Sequence, residues 1–315
     1  MEQTTIVIEP LETSEESVPR QRKSRFRQLR VQGLFLLPAL VIFTAFVIYP
    51  ILGSLYYSLT DWDGLAPDLH FVGLANFQQL FGDPTVLTDL KNTLIFAAGV
   101  MVLQNGLALL LTIILDGFLR RLTFLRVLFL IPAMLSALAI GYIWSYIYTP
   151  EFGFFNAFLS RISLSSWQQD WLGNAHLTLT SLIFTNSWEF MGFGMVIFLA
   201  GLQAVPAELY EAANIDGTSG WQRFWGITFP LIAPSVTVNV ILTMIGSLKV
   251  FDLILVMTNG GPGDASESLA LRLYKEAFTQ NHFGYGTAIG IVMSVLILSL
   301  SVLNLRFLRK REVEL

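Results

Sequence analysis

KNTLIFAAGVMVLQNGLALLLTIIL, residues 91–115, carries its only charge at its first position and contains no proline. Wound as a helix at ~1.5 Å per residue it is about 37 Å long, enough to cross a hydrocarbon core of about 30 Å. Five other stretches have the same character: 33–57, 123–148, 176–203, 231–257 and 284–308. A soluble core can bury one such run, but not six. Overall composition agrees, with 54% hydrophobic and only 13% charged residues, against about 25% charged in soluble domains. The sequence therefore predicts an all-α integral membrane protein with six transmembrane helices.

Basic residues fall on alternate sides of these runs. Arg20, Arg22, Lys23, Arg25, Arg27 and Arg30 precede the first, and Arg120, Arg121 and Arg126 stand at the junction of the second and third. Arg223 lies between the fourth and fifth, and Arg306, Arg309, Lys310 and Arg311 end the chain. The opposite loops hold only Arg161, Arg272 and Lys275, with Lys91 at an edge. Cytoplasmic loops carry the excess of Lys and Arg, so both termini are expected in the cytoplasm. The organisation that follows is a basic cytoplasmic tail (1–32), a six-helix domain (33–308) with a cytoplasmic loop at 204–230, and a short cytoplasmic tail (309–315). Loops 58–90, 149–175 and 258–283 face outward. Trp62, Trp167 and Trp171 fall where interfacial rings are expected. The first 30 residues mix acids and bases without a short apolar core, so they do not read as a signal peptide.

Several chemistries are excluded. With no cysteine there is no disulfide, thiol catalyst or zinc-thiolate site. No glycine-rich phosphate loop ending in Gly-Lys-Ser/Thr is present, nor a Gly-x-Ser-x-Gly elbow. His70, His176 and His282 are far apart and read as loop residues. No catalytic residue, metal site, bound cofactor or nucleic-acid partner is expected, and the chain does not read as an enzyme.

The polar loop EAANIDGTSGWQRFWGITFP, residues 211–230, interrupts this apolar sequence. Pro206 suits a first helical turn, and Glu208 and Glu211 favour the positive end of a helix dipole. Helix-forming residues continue to Asp216, and Gly217 is a natural stop. A second short segment, Trp221 to Trp225, returns toward Pro230 and Pro234. Leu209, Ala212, Ala213 and Asp216 share one face of the first helix, where small alanines allow close approach by another chain.

The spacing Glu211-Ala212-Ala213, Gly217, Ile227, Phe229-Pro230 resembles the E-A-A signature of permease subunits of binding-protein-dependent ABC importers, with Phe229 in place of the usual leucine. Gly73-Leu74-Ala75-Asn76-Phe77, Asn92-Thr93, Phe251-Asp252 and Thr258-Asn259-Gly260-Gly261-Pro262 are similar to the MalF/UgpA-like half of sugar importers. The resemblance covers residues 33–308 and implies the type I ABC importer permease fold in a bacterial plasma membrane. It further implies a second permease subunit forming a heterodimer, two ATPase subunits that use ATP and Mg, an extracytoplasmic solute-binding protein, and a sugar or sugar-like polyol as solute. Glu211, Ala212, Ala213 and Gly217 become the residues that couple to the ATPase.

Polar groups inside spans are functional candidates by default. Thr243, Gly246, Ser247 and Val250 recur at helical spacing on one face. Together with the resemblance they suggest a solute path lined by Asn186, Glu189, Phe190, Phe193, Thr243, Gly246, Ser247 and Val250. Glu189 and Lys249 are alternatively an intramembrane pair holding the bundle, and Lys249–Asp252 is a competing local pair. An ion-coupled secondary transporter and a structural or receptor-like subunit are the competing functions. Neither requires the loop at 204–230.

Overall fold

The structure is a computed structural model that describes residues 36–117 and 123–309. The basic residues at 20–30, Arg120, Arg121, Lys310 and Arg311 lie outside the described residues, as do nearly all of the two predicted tails. The described chain falls into two compact units, one ending at Gly53 and one running from Ser54 onward. Up to Gly53 the described chain is the greater part of one apolar helix, α1 (Leu36–Tyr57), which contains a π turn at Thr44–Ile48.

Among the described residues of the second unit the regular elements are all helices, apart from an isolated bridge between Thr60 and Phe71. A short α2 (Ala75–Gly82) leads into α3 (Pro84–Gly117), the longest helix at 34 residues. Asp83 stands at its head and accepts from the Thr85 amide and hydroxyl at 2.8 and 2.6 Å. The hydroxyl contact holds its carboxyl below the usual range. The third apolar run is not straight. It forms α4 (Thr123–Met134) and α5 (Ala137–Ile147), turned by 96°. Pro132 inside α4 removes a backbone donor, and Ser136 then caps α5 by accepting from the Leu138 amide. After α6 (Phe154–Arg161) comes α7 (Thr178–Gln203), which fills the fourth run.

The fifth run departs most from expectation. Residues 220–257, which include the predicted single span at 231–257, form three pieces. These are α9 (Gly220–Leu231), α10 (Ala233–Leu248) after a 68° bend, and α11 (Asp252–Met257) after a break at Lys249–Phe251. The short α12 (Leu269–Tyr274) and the long α13 (Phe283–Arg309) complete the unit. The remaining element, α8 (Ala207–Ile215), lies between α7 and α9.

α7 is the central strut. It packs along α3 and α4 through small residues. A Cβ added at Gly192 would lie 1.9 Å from the Phe129 carbonyl oxygen, so glycine alone permits that helix approach. The Thr112 hydroxyl of α3 donates to the Met195 carbonyl of α7 at 3.2 Å. Phe96, Ile140, Trp144, Leu182 and Ile254 belong to the largest buried cluster among the described residues. The motifs that carried the sequence resemblance are knots in this frame. Asn76 Nδ2 donates to the Ser58 and Thr60 carbonyls, and Asn92 Nδ2 to those of Asp264 and Glu267. Trp62 and Trp171 also tie loops, donating to the Ala66 carbonyl and Asn156 Oδ1, while Trp167 stays exposed.

Candidate transport pathway and coupling loop

A cavity of about 370 Å³ opens between α3, α4, α7 and α10. Asn186, Phe190, Phe193, Thr243, Gly246 and Ser247 line it, six of the residues expected on the solute path. Gln104, Ala133, Asn239 and Leu242 line it as well. Of these, Asn239 had a readable signal: it stands four residues before Thr243 and extends the same helical face by one turn. Gln104 is an amide in the middle of an apolar run, and such groups are candidates on that ground alone.

Two expected residues do not line the cavity. The i, i+7 placement of Val250 assumes a helix that continues, but α10 ends at Leu248. Val250 turns instead into the buried cluster with Phe96 and Val100. Glu189 is 2% exposed and is not among the lining residues. The expected Glu189–Lys249 pair is not formed, and neither is Lys249–Asp252. The break explains both. Lys249 caps the end of α10 and is exposed, while Asp252 starts a new helix and is also exposed.

The cavity wall is an amide and hydroxyl ladder on an aromatic floor. Gln104 Nε2 donates to Thr243 Oγ1 at 3.2 Å, and Asn239 Nδ2 donates to Asn105 Oδ1 at 2.8 Å. These bonds orient the amides and leave the oxygens of Gln104 and Asn239, the Thr243 hydroxyl hydrogen and the Asn186 amide for a bound solute. None of the lining side chains is ionisable. A surface that both donates and accepts matches hydroxyl groups, and the rings of Phe190 and Phe193 add apolar faces.

At the other end of α7 the loop folds as a hairpin of helices. α8 ends on Asp216, and Gly217 follows at φ +69°. The Thr218 amide bonds to the Ala213 carbonyl and the Gly217 amide to that of Asn214, a glycine stop of Schellman type. Ser219 and Gln222 cap α9 reciprocally. Two cross-links close the hairpin: Tyr210 Oη with Thr228 Oγ1 at 3.1 Å, and Arg223 Nη1 donating to Asn214 Oδ1. The expected face of Leu209, Ala212, Ala213 and Asp216 is divided. Ala213 is buried within the hairpin, whereas Leu209, Ala212 and Asp216 are exposed beside Glu208 and Glu211. Of the predicted coupling residues, Glu211 and Ala212 lie on the open surface of α8, Ala213 on its covered side, and Gly217 just past its end.

A charge cluster around Arg272 escaped the sequence reading. Arg272 Nε lies 2.7 Å from Asp89 Oδ2 and 3.4 Å from Glu267 Oε1, with Asp264 at 3.6 Å and Glu276 at 4.0 Å. Lys275 bonds Glu267 at 2.8 Å. Burial opposes the Arg272 charge, but the Asp89 hydrogen bond and the surrounding carboxylates outweigh it and raise its pKa. Ser268 Oγ donates to the Val250 carbonyl at 2.8 Å, so this charged segment is tied to the break beside the cavity. No group of acidic and histidine side chains suited to a metal occurs among the described residues.

Residues 104–313 match the family model of the binding-protein-dependent transport system inner membrane component. The chain belongs to that family. Its members are permease subunits of ABC importers, not enzymes, so this chain is a multi-pass membrane permease. It is 33% identical to the probable starch degradation products transport system permease protein AmyD of Thermoanaerobacterium thermosulfurigenes, over 90% of this chain and 95% of that one. It is 34% identical to the trehalose/maltose transport system permease protein MalF of Thermococcus litoralis, over 92% and 97% respectively. In structure the permease is similar to a chain of a bacterial ABC transporter involved in the import of the acidic polysaccharide alginate. That likeness has a TM-score of 0.78 and 21% identity, covering 92% of this chain and 99% of the other, and it establishes the importer permease fold.

Proposed function

We propose that this permease translocates an uncharged sugar or sugar-like polyol, delivered by an extracytoplasmic solute-binding protein. The observation that carries this reading is the cavity wall of amides, hydroxyls and phenylalanines without an ionisable side chain. The sugar-import relatives support the same solute class. The open face of the cavity is completed by a second permease subunit, and two ATPase subunits supply the energy from ATP and Mg. Glu211 and Ala212 on exposed α8 make the docking contact, while Ala213 and Gly217 fix the shape of the hairpin. Hydrolysis rocks the spans between inward-open and outward-open states. The loop and both termini lie in the cytoplasm, consistent with Arg223, Arg306 and Arg309 at that side.

The test uses the complete complex in proteoliposomes, with uptake of labelled sugars and ATP hydrolysis followed together. Glu211→Lys is expected to abolish uptake and binding-protein-stimulated hydrolysis while the chain still inserts and assembles its spans. Uptake that persists without any ATPase subunit would overturn the reading in favour of ion coupling.

A further inference from the structure

The return arm of the hairpin carries an apolar surface that the coupling function does not use. α9 presents Trp221, Trp225 and Phe229 at intervals of four residues. Their rings form a continuous file, with centroids 5.6 Å and then 5.1 Å apart. Trp221 is 72% exposed and Trp225 49%. The π turn at Phe224–Thr228 widens the helix locally, and a π turn takes more residues per turn than an α-helix. Spacing by four therefore stays on one side instead of drifting round. Gln222, next to this file, is exposed and polar.

Position decides what covers the rings. α9 is continuous in sequence with the apolar α10, and the two are bent by 68° at Ile232. A helix bent that far from the line of its apolar neighbour can lie along the bilayer surface. Tryptophan is enriched at that depth because its ring is apolar and its indole N–H seeks the wet side. An amphipathic segment lying in the interface is recognised by this combination of an apolar stripe and a polar flank.

We propose that the Trp221–Trp225–Phe229 file seats α9 in the cytoplasmic headgroup layer, so that the lipid bilayer is a direct partner of the coupling hairpin. The cross-links Tyr210–Thr228 and Asn214–Arg223 join α9 to α8. The bilayer surface then sets the height at which α8 meets the ATPase. The ATPase takes the acidic, exposed side of α8, and the lipid takes the rings of α9.

The chain has no cysteine, which makes single spin labels direct. Trp221→Cys, Trp225→Cys and Gln222→Cys are labelled in the whole complex, with a cysteine-free partner set, in phosphatidylcholine–phosphatidylglycerol bilayers. Collision with oxygen is compared with collision with a water-soluble nickel chelate. Labels at 221 and 225 are expected to favour oxygen severalfold over the label at 222. A preference for the chelate at 221 and 225 overturns the proposal. So does protection from both reagents that vanishes when the ATPase is removed, because the rings are then an ATPase contact. A check that keeps ring packing compares unlabelled wild type with the Trp221→Phe/Trp225→Phe variant in brominated lipid. Quenching of tryptophan fluorescence is expected to fall in the variant, and equal fractional quenching also overturns the proposal.

Discussion

Removing the Arg272 guanidinium is the most demanding test of how this charged end of the bundle is held. Arg272 is the only cation within ion-pair distance of Asp89 among the described residues, and the Asp89 side chain is 0% exposed. Arg272→Gln leaves that carboxylate buried without a counter-charge, beside Glu267 at 2% exposure. Glu267 keeps Lys275, so the loss centres on Asp89. Breaking one side of a buried pair costs about 3–5 kcal/mol. At about 2–4 °C per kcal/mol for larger domains, the melting temperature should fall by about 6–20 °C. Intrinsic tryptophan fluorescence during heating in nanodiscs reads this directly. The charge-removed pair Asp89→Asn/Arg272→Gln should recover part of the loss, with a coupling of about 0.5–3 kcal/mol. A single variant melting within about 2 °C of wild type, or strictly additive single changes, would refute the clamp.

Asn186→Leu should raise the half-saturating sugar concentration about tenfold, the equivalent of ~1.4 kcal/mol, with no change in melting, because Asn186 lines the cavity and its side chain makes no hydrogen bond among the described residues. Gly192→Ala should destabilise by about 1–3 kcal/mol, since its methyl meets the Phe129 carbonyl and not a movable side chain; a melting curve checks it. Gly217→Val meets no atom but must adopt φ +69°, so a strain of about 1–2 kcal/mol should lower stimulated ATP hydrolysis and leave the melting of the spans intact. Asp83→Ala should cost about 0.5–2 kcal/mol through loss of the helix head. The Asp83 pKa is depressed in the folded state, so its contribution is present above the unfolded carboxylate value and fades as pH falls through the folded one. The wild-type advantage over Asp83→Ala in melting should therefore shrink on acidification.

The apolar runs and the coupling helix were legible because each is a local pattern. Residues 91–115 announce a span by composition, and Ala207–Ile215 announces a helix by its formers and its glycine stop. Misreadings began where a local pattern was extended across a break. The run 231–257 is apolar overall, yet it begins at a bend flanked by Pro230 and Pro234, and Lys249–Phe251 interrupts it. Val250 was assigned to a face that ends at Leu248, which removed it from the cavity, and Lys249 falls at the break without an ion pair to Glu189. The Arg272 cluster was invisible for a different reason. Asp89, Asp264, Glu267 and Glu276 are spread over nearly two hundred positions, and only folding gathers them. Leu209, Ala212, Ala213 and Asp216 were assigned one environment by periodicity, but the hairpin return covers Ala213 alone.

The hairpin from Pro206 to Pro230 holds its shape with bonds made inside itself: the Gly217 stop, the Ser219–Gln222 cap and the links of Tyr210 and Asn214 to the return arm. None of these reaches the residues around Asn186 and Thr243. It is a cassette, inserted between two spans and indifferent to the cargo handled above it. Drift in the cavity can therefore change which sugar is carried without disturbing the choice of motor, and exchange of the hairpin can re-pair a permease with a different ATPase while its cargo stays the same.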